Sequence, residues 1–166
     1  MLNGGATACR YVPDAHLALL LGGLGMRLAG VTYLDYAERG NNSYEEVLQR
    51  NRGCLSPQLN ETDRENFRDI VAATAAIHVV WDVFKHELSA KGSSPRWKKG
   101  SQKDVPPPFT EESLLFAFGC WLSCGDPVRG RALCNVPLKN SPYFAKVYGC
   151  PPAAPMNPEH KCRIRI

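Results

Sequence analysis

His86 and Glu87 form the one His-Glu step in this 166-residue chain, and such a step is half of a common way to hold zinc. In H-E-x-x-H, two imidazoles four residues apart share one helix face, and the Glu between them acts as general base on a metal-bound water. Here the fifth position is Ala90, so the second ligand is missing. His78 lies eight residues before His86, a poor spacing for joint coordination. His16 and His160 have no partner at ligand spacing, and His86 reads as a surface histidine. The seven cysteines contain no C-x-x-C, and only Cys120 and Cys124 come close, as C-x-x-x-C. Zinc-knuckle and thioredoxin-type chemistry are thereby excluded. There is no G-x-S-x-G and no Walker loop, and "GGLG" (22–25) lacks the lysine that a phosphate cradle of that type carries.

The cysteines point instead to disulfides outside the cytosol. Sequons at Asn41 ("NNS") and Asn60 ("NET") fit the same setting. An odd count leaves one thiol free or paired outside the chain. The apolar run "LALLLGGLGM" (17–26) is too short to span a bilayer, and its glycines and late start make a poor signal peptide. No membrane span and no visible signal peptide are expected in this chain. The net charge of +4 owes much to the polar stretch 85–104, which reads as a solvated loop rather than a nucleic-acid surface.

The elements that must position these residues are mostly helical. Residues 1–14 are Gly-rich and irregular; 15–37 read as a glycine-interrupted buried helix; 38–62 are polar with turn signals. Thr62 and Glu65 suggest a capping box, which is a sufficient local reason for that glutamate, and Asp69 reads as a solvated residue. Phe67, Ile70, Val71, Thr74, Ile77, Trp81, Phe84 and Leu88 then recur at helical steps, predicting a long amphipathic helix over about 63–88. Thr110 is a second N-cap, followed by Glu111 and Glu112 and the apolar buried helix 113–124. From 125 onward the prolines argue against any long helix, beyond a turn around "SPYFAKVY" (141–148).

The tail "LKNSPYFAKVYGCPPAAPMNPEHKCRI" resembles the carboxyl terminus of the neprilysin and endothelin-converting-enzyme family of zinc metallopeptidases. Asn140, Ser141, Phe144, Cys150, Met156, Asn157, Pro158, Lys161 and Cys162 carry the likeness. "SLLFAFGCWLSCG" (113–125), "ENFRD" (65–69) and "GGLGM" (22–26) resemble further family segments.

The resemblance implies a mainly α, zincin-like metallopeptidase carboxyl-terminal region of two or three helices, with an irregular disulfide-stapled tail. It would form a partial neprilysin-like domain over 15–166. It places the zinc motif on Gly30, Val31, Thr32, Tyr33 and Leu34, none of which can act as ligand or base. Only Glu65, at the third-ligand position, and Asp69, at the position that orients a ligand histidine, keep their type. The segment 125–138 lacks the family's histidine, though Arg129 and Arg131 lie near its arginine. The resemblance also implies a Cys54–Cys162 bond, with the partners of Cys124 and Cys150 lying before the start of this chain. Cys9, Cys120 and Cys134 are additional, and pairing among these five stays open.

The expectation that follows is an extracellular or ectodomain pseudo-peptidase. It would have no catalytic residues and no metal of its own, where the family uses zinc, and it would bind peptides or a protein partner. Two alternatives stand beside it: a functional zinc metalloendopeptidase, and a truncated fragment without independent function.

Overall fold

The structure, a computed structural model, describes residues 16–39, 44–90, 110–121, 123–126 and 129–164. Asn41, Cys9 and residues 91–104 of the stretch expected as a solvated loop lie outside them, while residues 85–90 of that stretch are helical. No β-strand occurs among the described residues, and no described helix is long and apolar enough to cross a membrane.

The helix expected over 15–37 is present as α1 (His16–Leu19), a π-helical segment (Leu20–Gly25) and α2 (Met26–Arg39), contiguous in sequence. It is only half buried. Gly22 and Gly23 face inward, while Leu20, Leu24, Leu28 and Val31 are 53, 58, 66 and 66% exposed. The inward glycines have a packing reason. A Cβ on Gly22 would run into the Leu115 carbonyl and stand 3.1 Å from the Phe118 Cβ, and one on Gly119 would stand 3.3 Å from the Gly22 oxygen. The π segment thus crosses the later helix at backbone contact, which only glycine permits.

Where polar turns were expected, α3 (Tyr44–Leu55) forms, closed by a 3₁₀ turn (Ser56–Gln58). Val47, Leu48, Asn51 and Leu55 are its buried face. Asn51 enters the core by donating its amide to the Val47 carbonyl at 2.7 Å, so a polar letter occupies an inner position and dilutes the hydrophobic pattern.

The capping box also lies elsewhere than expected. Asn60 is the N-cap of α4 (Glu61–Arg64), accepting from the Asp63 amide at 2.7 Å, while the Asp63 carboxylate accepts from the Asn60 amide at 3.4 Å. Thr62 is already inside that turn and cannot cap it. Glu65 closes the turn, and α5 (Phe67–Ala90) follows as the longest described helix. Ile70, Val71, Thr74, Ile77 and Phe84 are fully buried, Phe67 nearly so, and Trp81 half-buried. Trp81 is stacked between Phe116 (5.4 Å) and Tyr143 (4.8 Å).

In α6 (Glu111–Trp121), Thr110 accepts from the Ser113 amide at 3.1 Å as expected of an N-cap, and Lys85–Glu112 (3.0 Å) ties the helix to α5. Its far end is not buried: Trp121 is 58% exposed. The helix α7 (Gly130–Asn140) is the largest departure, because it carries Pro137 in its interior. Burial of Ala132, Val136, Pro137 and Leu138 against the core offsets the lost backbone hydrogen bond. Then α8 (Pro142–Val147) is capped by Ser141, which accepts from the Phe144 amide at 3.3 Å. The described residues therefore hold eight α-helical segments rather than two or three.

Candidate functional site

Glu65 and Asp69 sit one turn apart where α4 hands over to α5, and both are exposed. Asp69 lies in the first turn of α5, where a carboxylate favours the helix dipole. The stretch 30–34 lies on α2, which packs against α5: a Cβ on Gly30 would stand 3.7 Å from the Ala72 Cβ. Ala72 is three positions after Asp69. The chain thus brings together the two helices on which a two-helix metal site would be built, but the side chains at the crossing are not donors. Gly30 and Ala72 meet there, Val31 is 66% exposed, and Tyr33 packs against the core. The buried Tyr33 hydroxyl has no hydrogen-bond partner, and burial raises its pKa. Among the described residues no three His, Cys, Asp or Glu side chains cluster closely enough to hold a metal ion. A catalytic zinc needs three protein ligands and a water, and the described residues do not supply that set.

The other candidates are scattered. His86 is exposed, 3.7 Å from the neighbouring Glu87 carboxylate, and His160 is exposed in the tail. The side chain of His16 lies outside the described residues. Arg129 pairs with Asp126 at 3.6 Å while its amide donates to the same carboxylate, and Arg131 is exposed on α7. His78 stands apart from these surface groups. Its ring meets Tyr143 edge-on at 5.9 Å, and its buried Nε2 has no hydrogen-bond partner. Burial pulls its pKa below the usual 6.5, Arg163 adds to this, and Asp82 opposes it.

That shift has a testable sign. The unfolded chain takes up the proton at the ordinary value and the folded chain only below it, so stability is full above about pH 6.5 and falls as pH drops below it. Urea midpoints measured between pH 7 and 5 should decline, and His78→Gln should flatten the decline relative to the parent. An identical profile in the variant would remove His78 as the cause.

Two disulfides fix this frame. Cys54 and Cys162 are bonded with Cα atoms 5.7 Å apart, and Cys120–Cys134 joins α6 to α7 at 4.9 Å. Cys124 (exposed) and Cys150 (half-buried) have no disulfide partner among the described residues. Beside Cys54 lies a feature that spacing alone did not reveal. It is an open depression of about 540 Å³ lined by Arg52, Gly53, Ser56, Pro57, Arg64 and Phe67. Arg52 places its guanidinium 5.5 Å from the centre of the Phe67 ring.

Compared with known proteins, the chain is 50% identical over 38 residues to neprilysin-21 of Caenorhabditis elegans, a match that spans 23% of this chain and 5% of that protein. No family model matches, and no solved structure matches. The similarity supports a link to a peptidase family over a short stretch.

Proposed function

We propose that this chain is a neprilysin-like, zincin-related carboxyl-terminal domain over 15–166 that has lost its zinc chemistry and serves as a non-catalytic binding module for peptides or a protein partner outside the cell. One observation carries the reading: at the α2–α5 crossing, where ligands would have to converge, Gly30 packs on Ala72 and the two family-type carboxylates, Glu65 and Asp69, point to solvent. The two disulfides and the short likeness to neprilysin-21 support an extracellular setting. Asn60 fits glycosylation there, since it is exposed and uses only its Oδ1 in the cap, which leaves Nδ2 for a glycan; Asn41 is the second candidate.

The expected result is a protein without bound zinc as isolated and without chelator-sensitive peptidase activity. Elemental analysis of the purified chain checks it. Stoichiometric zinc that disappears in Glu65→Ala would overturn the reading, because it would mean that a ligand set has assembled around that carboxylate.

A second reading, a fragment with no function by itself, is favoured by the exposed stripe Leu20, Leu24, Leu28 and Val31. An uncovered apolar helix face of this length is a docking or aggregation surface. A cooperative, concentration-independent thermal transition of the isolated chain would remove this reading.

A further inference from the structure

The depression beside the Cys54–Cys162 bond combines features that a passive surface hollow does not need. Arg52 and Arg64 both line it, no acidic residue does, and neither arginine has a carboxylate partner among the described residues. Asp63, next to Arg64 in sequence, is engaged by the Asn60 amide in the capping box. Arg52 holds its guanidinium over the Phe67 ring, 5.5 Å from the ring centre, a cation–π contact that favours keeping the charge beside the depression. Phe67 itself is only 8% exposed and anchored in the core, so this platform is rigid. Nothing stands within 4 Å of the place a Cβ on Gly53 would occupy, which leaves the ledge open. The rim is held on both sides: Cys54 is bonded to Cys162, and Gln58 of the 3₁₀ turn is locked to Asn140.

We propose that this depression binds the side-chain carboxylate of an acidic peptide segment, with an apolar neighbour of that residue seated against the exposed Pro57 and the rim of Phe67. The inference rests on the reading of the chain as a binding module and names the ligand class. Two guanidinium groups without a carboxylate partner among the described residues match a carboxylate by charge-assisted, bidentate hydrogen bonds. The apolar wall favours an amphiphilic ligand over a bare ion, because the flanking side chain buries surface that inorganic phosphate cannot cover. The carbonyls at the end of α3 place partial negative charge nearby, so binding depends on both arginines rather than on either alone.

The test uses the full chain and the capped peptide Ac-Leu-Glu-Phe-NH₂, whose only charge is the side-chain carboxylate, against its neutral twin Ac-Leu-Gln-Phe-NH₂. Isothermal titration at low salt should show the Glu peptide binding about tenfold or more tightly than the Gln peptide. Arg64→Gln and Arg52→Gln should each weaken the Glu peptide by a similar factor, with unchanged thermal midpoints in Arg64→Gln, whose side chain is exposed. Raising salt from 0.05 to 0.5 M should weaken it further, as screening requires of an exposed charge pair. Equal affinity for the two peptides, or parental affinity in both arginine variants, would overturn the proposal. So would inorganic phosphate displacing the Glu peptide at equal concentration, which would reassign the site to a bare oxyanion. Zinc content and peptide cleavage measured on the same samples keep the two readings apart: cleavage with zinc present overturns the loss of catalysis, and the Glu/Gln ratio alone decides the pocket.

Discussion

Replacing Cys54 and Cys162 together by alanine should lower the stability of the chain by about 4 to 5 kcal/mol. The bond spans a sequence separation of 108 residues, and closing a loop of that length removes about this much unfolded-state entropy in the chain-entropy model. The loss is comparable to the whole margin of a modest domain. Cys162 is 3% exposed and belongs to the same apolar cluster as Leu55, Ile70 and Val136, so the variant also loosens packing around α3, α5 and α7. The matching change at Cys120 and Cys134, a separation of 14, should cost about 3 kcal/mol, because the loop it closes is short. Urea unfolding under non-reducing conditions measures both, and non-reducing peptide mapping of the parent must show a Cys54–Cys162 peptide. If the short-loop variant proves the more damaging, loop entropy is not what this bond contributes.

Asn140→Ala should cost about 3 kcal/mol even with both disulfides intact. Asn140 is 2% exposed, and its amide is fully engaged. Its Oδ1 accepts from the Cys162 amide at 2.7 Å and from Gln58 Nε2 at 3.1 Å. Its Nδ2 donates to Gln58 Oε1 and to the Val136 carbonyl, each at 2.8 Å. Alanine takes the partner from the buried Cys162 N–H and from Gln58 Oε1, while Gln58 Nε2 keeps its contact with Cys162 Sγ at 3.1 Å; an orphaned buried group costs about 1 to 3 kcal/mol. Hydrogen exchange separates this effect from that of the bond. In Asn140→Ala the tail stays tethered, yet the Cys162 amide should exchange far faster than in the parent. Unchanged protection of that amide would show that the disulfide alone orders the tail. Because the two devices hold one segment, their effects should not add, and a double-mutant cycle should show coupling.

Part of this was legible in the sequence. The inner face of α5 follows from periodicity, since Ile70, Thr74, Ile77 and Phe84 recur at helical steps and are fully buried. The start of that region did not follow, because Asn60 competes with Thr62 for the cap and wins by standing outside the first turn in an extended conformation. Helices α3 and α7 were hidden by local letters that tertiary burial overrides: Asn51 on an inner face, and Pro137 mid-helix. Asn140 and Ser141 could be read from sequence only as part of a familial tail. Their physical reason, a clamp on Cys162 and a cap on α8, needs the fold. The candidate site shows the same limit. Glu65 and Asp69 were identified by resemblance, but that Gly30 lies against Ala72 is a long-range fact that no local pattern encodes. The arginine depression is likewise assembled by the chain reversing between α3 and α5, at spacings that match no motif.

The longer disulfide also sets how this chain would respond to being pulled. Tension applied through the backbone on either side of Cys54 and Cys162 passes across the sulfur–sulfur bond and bypasses everything between them. Helices α4 to α8 would stay slack inside a closed ring, with the Cys120–Cys134 bond closing a smaller ring within it. Roughly 360 to 390 Å of extended contour, about 3.3 to 3.6 Å for each residue of the 108-residue separation, is hidden from a stretching force until that bond is reduced. Under load the segment behaves as a short, stiff link, and the redox state of its surroundings decides how far it can extend.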